Sequence, residues 1–233
     1  PNSSGFSVPE TYDPDYLDSL EIGFKSTLGD GQLILNGAYY MMDWTNYQTS
    51  TFNTDITSVA YTENVGNAEI NGFELNALYA FNDSTDISFY INRMDPKLSD
   101  DYYYVSGELG ANAGNRLAGM PKLSYYMSLD KDFTLMGKPA FLVLDYSYTG
   151  LRYTSYENDA YRLPEYAIAN LRAGFDNKNT SIELYISNLT DEDGYLSRYD
   201  DFSAVGSSGY SGFGVRRTGT KPRVLGVRFR YRY

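Results

Sequence analysis

Apolar and polar residues alternate with period two along most of this chain. That is the pattern of β-strands with one face in an apolar medium and the other in a polar one. Leu20, Ile22 and Phe24 alternate with Glu21, Gly23 and Lys25, and Gly29-Asp30-Gly31 supplies a tight turn into Leu33, Leu35, Gly37, Tyr39 and Met41. The same hairpin pattern recurs three times. Phe73, Leu75, Ala77 and Tyr79 turn at Asn82-Asp83-Ser84 into Ile87, Phe89 and Ile91; Leu123, Tyr125 and Met127 turn near Met136-Gly137-Lys138-Pro139 into Leu142, Leu144, Tyr146 and Tyr148. Ala169, Leu171, Ala173 and Phe175 turn at Asp176-Asn177-Lys178-Asn179 into Ile182, Leu184 and Ile186. A last strand places Leu225, Val227, Phe229, Tyr231 and Tyr233 on one face and Arg228, Arg230 and Arg232 on the other.

This predicts about nine antiparallel strands of roughly ten residues, the length a tilted strand needs to cross hydrocarbon. Connections near Asp30, Asp83, Gly137 and Asn177 are short, whereas those spanning 45–63, 94–117, 151–163 and 189–220 are long. A soluble β-sandwich would share the period but has no reason to alternate loop lengths between its ends. Outer-membrane barrels pair short periplasmic turns with long extracellular loops, so a transmembrane up-and-down β-barrel is the expected fold. Barrels in one bacterial chain have even strand numbers. Nine strands therefore predict that residues 1–233 are the C-terminal portion of a larger barrel domain, with N-terminal sequence preceding Pro1.

Composition sharpens this picture. The chain has 25 Tyr, 12 Phe and 21 Gly beside one Trp, no His and no Cys, a bias towards strands and turns. No run approaches the roughly 20 apolar residues of a membrane helix. Tyr39, Tyr40, Trp44, Tyr79, Phe81, Tyr146, Tyr148, Tyr166 and Phe175 lie near strand ends, where interfacial aromatic girdles form. A net charge of −11 argues against nucleic acid as a partner. Without His or Cys the commonest nucleophile–base pairs are absent, and no enzyme activity or resident cofactor is expected.

Six local patterns in order resemble the barrel of TonB-dependent outer-membrane receptors: Pro9-Glu10-Thr11 with Leu20 to Lys25, Leu33 to Asp43, Asn67 to Leu75, Gly114-Asn115-Arg116-Leu117 with Pro121-Lys122, Asn188-Leu189-Thr190-Asp191, and Pro222-Arg223 to Tyr233. The resemblance implies a 22-strand barrel of which these are the last nine strands, holding a plug domain that is not in this chain. It also implies import of a scarce bulky nutrient, with a ferric siderophore first and an oligosaccharide or cobalamin as alternatives, on energy from the TonB system acting through the plug. Leu225, Val227, Phe229, Tyr231 and Tyr233 resemble the signal read by the barrel-assembly machinery, and outer-membrane lipid is the implied surroundings.

Loop aromatics suit ligand contact, because Tyr offers a flat surface and a hydroxyl at low entropy cost. The extracellular ligand-binding candidates are Trp44, Tyr47, Tyr102, Tyr103, Tyr104, Arg116, Tyr153 and Tyr156, for a small-molecule ligand. Glu74, Arg228, Arg230 and Arg232 are expected to face the lumen, since a lipid-facing Arg costs about 2–4 kcal/mol at the midplane. Asp191, Glu192, Asp193, Asp200 and Asp201 form an acidic loop whose spacing matches no defined calcium loop, so no metal site is expected. Residues 206–214 read as a flexible linker. A passive porin-like channel and an adhesin-type surface barrel would share the outward face and remain alternatives.

Overall fold

The computed structural model describes residues 8, 10–51, 61–104, 107–156, 162–177, 179–199 and 216–232. Nine strands form one antiparallel sheet in chain order: β1 (Tyr16–Leu28), β2 (Leu33–Thr45), β3 (Ala68–Asn82), β4 (Thr85–Leu98), β5 (Leu123–Leu135), β6 (Lys138–Thr149), β7 (Tyr166–Asp176), β8 (Thr180–Ser187) and β9 (Val224–Tyr231). The sheet is open, with β1 and β9 as its edges. Residues 200–215 and Tyr233 fall outside the described residues, and with them the expected linker and the last position of the closing strand.

Register carries the two-faced pattern across every strand. One row of directly paired residues runs Leu28, Leu33, Tyr79, Ile87, Leu129, Leu144, Leu171, Ile186, Leu225, apolar on all nine strands. It begins on the last residue of β1 and ends on the second of β9. That drift is the stagger of strands tilted against a barrel axis. Many large apolar side chains on this face are exposed, among them Ile22 at 69%, Leu225 at 70% and Val227 at 68%. Such a surface in water would be a severe liability, and against lipid tails it is the expected wall.

The opposite face is polar and is held by short cross-strand bonds. The Tyr40 hydroxyl donates to Asn92 Oδ1 at 2.9 Å, and Asn170 Nδ2 donates to Asp145 Oδ2 at 2.6 Å. Aromatic rings on one strand lie over glycines on the next: Tyr40 over Gly72, and Tyr185 over Gly226. A Cβ on Gly226 would meet the Tyr185 ring at 2.3 Å, so the missing side chain is the slot that seats it. Tyr40 is 7% exposed, and Trp44 shares its face. Both therefore leave the expected interfacial girdle, because in β2 the outward positions are Leu33, Leu35, Tyr39 and Met41. On the outward face, Tyr79 and Phe81 meet edge to face at 6.0 Å, and Tyr125 stacks on Tyr148 at 5.0 Å, as a girdle requires.

The short turns fall where expected. Met136 and Gly137 both have positive φ (53° and 73°), the two-residue hairpin whose twist matches its strands, and Pro139 is already within β6. One loop begins later than its sequence suggests: β4 continues through Pro96 to Leu98, not ending near 94. Beyond Arg93 only β3 pairs with β4 within the main sheet, so Pro96 occupies an edge where a missing N–H is tolerated. Replacing Leu144 with Arg is expected to lower stability by about 2–4 kcal/mol, and Val143→Arg, one residue along on the polar face, by less than about 1 kcal/mol. Urea titration of refolding into lipid bilayers would check this, and equal losses would contradict the assigned faces.

Candidate functional site

All long connections lie at one end of the sheet, and each extends beyond the wall as a short ribbon. Gln48–Thr51 pairs with Tyr61–Asn64, Tyr102–Tyr103 with Leu109–Ala111, Arg152–Tyr153 with Arg162–Leu163, and Tyr195–Tyr199 with Arg216–Gly219. Backbone bonding continues up these connections, as in Tyr47 N–H to Gly66 O at 2.7 Å and Leu98 N–H to Asn115 O at 2.8 Å. The described parts of these loops are thus folded structure.

The first three loops share an apolar core. Val65, Leu98, Leu117, Tyr102, Ala111 and Tyr156 are all buried there, with Trp44, Tyr47 and Tyr104 packed against them. Tyr102 meets Tyr104 and Tyr156 edge to face at 5.2 and 5.3 Å. Its hydroxyl donates to the buried carboxylate of Glu63 in the first loop. Burial, followed by that hydrogen bond, holds the Tyr102 phenol far above its ordinary value of 10.0. Trp44 Nε1 donates to Asp15 Oδ2 at 2.9 Å and its ring meets Tyr47 at 4.6 Å, where burial also raises the Tyr47 phenol.

Two arginines fasten the later loops. Arg116 Nη2 donates to the Leu151 carbonyl at 2.9 Å and to Met120 O at 3.3 Å, and its guanidinium lies 5.1 Å from the Tyr153 ring centroid. Arg162 lies 5.9 Å from the same ring. Arg152, only 9% exposed, reaches into the fourth loop, donating to the carbonyls of Tyr195 at 2.5 Å and Leu196 at 3.3 Å and stacking on Tyr166 at 5.4 Å. The structure therefore joins Trp44, Tyr47, Tyr102, Tyr104 and Tyr156 in one core and Arg116 with Tyr153 in a stack, and leaves Tyr103 at the surface, 56% exposed. Glu63 and Arg152 carry this assembly and no local sequence pattern marks them.

Asn188 organises the root of the fourth loop. It is 3% exposed with φ of 52°, its Nδ2 donates to the carbonyls of Glu192 and Lys221, both at 2.9 Å, and its Oδ1 accepts from Glu192 N–H at 2.8 Å. In the acidic stretch beside it, Asp193 pairs with Arg217 at 2.7 Å, and Asp191 accepts from Arg223 N–H at 2.8 Å. Asp200 and Asp201 lie outside the described residues.

Below the loops, register divides the polar face by charge. On β1–β6 it carries Glu21, Glu74, Asp86, Asp130, Asp132 and Asp145 with Lys25, and on β7–β9 it carries Arg172, Arg228 and Arg230 with Asp176 and Glu183. Arg228 pairs with Glu183 at 2.7 Å, and Arg232, just past β9, lies 3.6 Å from Asp176. Glu74 accepts a 3.4 Å bond from the Tyr90 hydroxyl in a 410 Å³ recess that also holds Glu21, Lys25 and Asn76. A second recess of 350 Å³ sits under the last loops, lined by Thr149, Tyr166, Asn188, Leu196, Thr220 and Lys221.

A wide antiparallel sheet with one lipid-compatible and one polar face, short turns at one end and folded loops at the other, is the wall of an outer-membrane β-barrel. The family model described as TonB dependent receptor-like, beta-barrel matches residues 2–189, and the chain belongs to that family of Gram-negative outer-membrane proteins. Its fold is similar to the ferric yersiniabactin uptake receptor FyuA from Yersinia pestis, with a TM-score of 0.71 and 17% identity over 93% of this chain and 30% of that one. It is also similar to the siderophore receptor PiuA from Acinetobacter baumannii, with a TM-score of 0.68 and 20% identity over 91% and 28% of the two chains. The copper transporter OprC matches with a TM-score of 0.67 and 15% identity over 95% and 32%. The chain thus spans 28–32% of the length of these three structures.

Tyr102 retains its proton in the packed loops above pH 10, where an opened loop would release it. The loop core is therefore expected to keep its full stability below pH 10 and to weaken progressively above it. Protection against hydrogen exchange at Val65 and Leu117, after division by the intrinsic base-catalysed rate, should fall between pH 10 and 11 in the native protein. In Tyr102→Phe it should already be low at pH 7, because Glu63 loses its donor at a cost of about 1–3 kcal/mol. Identical exchange in the two proteins would remove the Tyr102–Glu63 bond from this role.

Proposed function

We propose that this chain forms part of an outer-membrane receptor that imports a scarce, bulky nutrient, with a ferric siderophore as the favoured substrate and TonB supplying the energy. The observation that carries the proposal is the folded rim, in which four long loops interlock above a polar, charge-divided wall. A passive pore has little use for such a rim, whereas a receptor needs a preformed surface, since rigid aromatic groups contribute contact without ordering cost. Family membership supports the receptor class, and FyuA and PiuA supply the precedent for siderophores.

In this reading Tyr103 and the Arg116–Tyr153 stack contact ligand, Tyr103 because it is exposed on its ribbon and Tyr153 because guanidinium groups polarise its face. Trp44, Tyr47, Tyr102, Tyr104 and Tyr156 shape the rim from within. The recess under the last loops falls within the size range of small-molecule sites, about 300–1,000 Å³. Arg228, Arg230 and Glu74 face the lumen contents, which in a full receptor include a plug. β1 and β9, each open on one side, pair with further strands, because an unpaired edge cannot stand in lipid.

The test is uptake of radiolabelled ferric siderophore by cells in which the full-length receptor is the sole route. Uptake should stop when the proton gradient is collapsed or TonB is removed, while surface binding persists. Tyr103→Ala should weaken that binding about tenfold, the effect of losing a moderate aromatic contact. Uptake unchanged by loss of the gradient would point to a passive channel instead.

A further inference from the structure

On the polar face of β6–β9 one ion pair is made and its neighbour is not. A recess of 310 Å³ there carries two acids and two bases, Asp145, Glu183, Arg172 and Arg228. Glu183 takes Arg228 at 2.7 Å. Asp145 does not take Arg172, although Val143 and Arg172 are direct partners and the carboxylate sits one diagonal step from the guanidinium, a separation that long side chains span. Asp145 Oδ2 instead accepts from the Asn170 amide at 2.6 Å. Arg172 is exposed on the lumen side and has no hydrogen bond or ion pair among the described residues. Asp130 is no substitute partner, since it stands two strands from Arg172, roughly 10 Å away, and already accepts from Ser128 Oγ at 2.6 Å.

The present partner of Asp145 is tied upward to the rim. Asn170 Oδ1 accepts the backbone N–H of Asn188 at 2.9 Å, so the amide is pinned at both ends. Asn188 in turn holds both legs of the fourth loop through the Glu192 and Lys221 carbonyls. A second pair of bonds closes the same root: Gly194 N–H donates to Thr220 Oγ1 at 3.0 Å, and Thr220 N–H to Gly194 O at 2.9 Å. If Asp145 turned to Arg172, the amide would lose the contact that fixes its rotation, and the buried Asn188 N–H would lose a defined acceptor. A guanidinium offers a carboxylate two parallel N–H bonds where an amide offers one, so the two positions compete.

We propose that Asp145 is a two-position latch governed by an anionic group in the lumen. A carboxylate of the cargo seated on Arg172 occupies the guanidinium fork, so Asp145 stays on Asn170 and the root of the fourth loop stays closed. With the seat empty the two positions exchange, and the root is loosened for the share of time that Asp145 spends on Arg172. The exposed Arg172 is the half of the unmade pair that a ligand reaches first, whereas Asp145 is half-buried, and this selects an anion over a cation. Occupancy of the wall is thereby felt at the rim without movement of any strand. The cargo as source of the anion rests on the proposed receptor function; the latch itself is a property of β6 and β7.

The test follows amide hydrogen exchange at Gly194 and Thr220 in the full-length receptor in lipid nanodiscs at pH 7, with citrate as the carboxylate probe and sodium chloride at equal ionic strength as control. Citrate should slow exchange at both amides about 5-fold, as expected when a ligand biases two closely matched positions. Arg172→Gln should slow it equally without citrate and abolish the response to citrate, because the competitor is gone. Asp145→Ala should speed exchange about tenfold, the effect of removing a hydrogen bond to a charged group, and adding Arg172→Gln to it should change nothing further. A purely structural bond between Asp145 and Asn170 would give the Asp145→Ala result but leave Arg172→Gln like the native protein, and that outcome would overturn the latch. A citrate response that survives in Arg172→Gln, or none in the native protein, would overturn the anion seat. These measurements need no energised uptake, so failure of TonB-dependent import would leave their result standing.

Discussion

Everything in this molecule follows from the ladder of backbone hydrogen bonds that joins neighbouring strands. In hydrocarbon an unpaired N–H or C=O costs several kcal/mol, so each strand must be matched along its length by the next. That requirement fixes register, and register in turn fixes which side chains meet lipid. A one-residue slip between any two strands would turn all of one strand's apolar side chains inward. The apolar row from Leu28 to Leu225 is the visible outcome, and the rings of Tyr40 and Tyr185 seated over Gly72 and Gly226 pin the same register by shape.

The wall then determines what the loops can be. Strands that rise in pairs deliver each long loop with both its ends already paired, and the ribbons continue that pairing outside the membrane. Once held upright, neighbouring loops find one another through chemistry of a different kind: a buried carboxylate accepting from a phenol, guanidinium groups on carbonyls, and rings meeting edge to face. The rim's apolar core gathers around Val65 and Leu117 in the first three loops. Its order depends on directional contacts built on a wall that is already rigid.

Much of this was legible in the sequence and some of it was not, for separable reasons. The nine strands could be read because lipid on one side and water on the other impose period two, a constraint that acts on every residue of a strand. Tyr40 and Trp44 seemed girdle residues because their type and position near a strand end suit it. Their parity with Ala38 and Met42, opposite to Tyr39 and Met41, was the signal that places them inward. The connection expected from residue 94 starts after Leu98 instead, because β5 stops pairing at Arg93 and leaves Pro96 on a stretch of strand that tolerates a missing N–H. The Glu63–Tyr102 bond and the reach of Arg152 to Tyr195 join residues 39 and 43 positions apart, where no local periodicity exists to expose them.

The arginines also make the rim a mechanical object. Arg116 ties the second loop to the third, and Arg152 ties the third to the fourth, so these connections act as links in series. In a series chain compliances add, and the softest link sets the stiffness of the whole. A pull on the last loop reaches the third through Arg152, and the third passes it to the second through Arg116 in parallel with the Tyr102–Tyr156 contact and the Gly119 N–H to Tyr153 O bond. The junction between the third and fourth loops, where Arg152 acts, is therefore where the rim yields first.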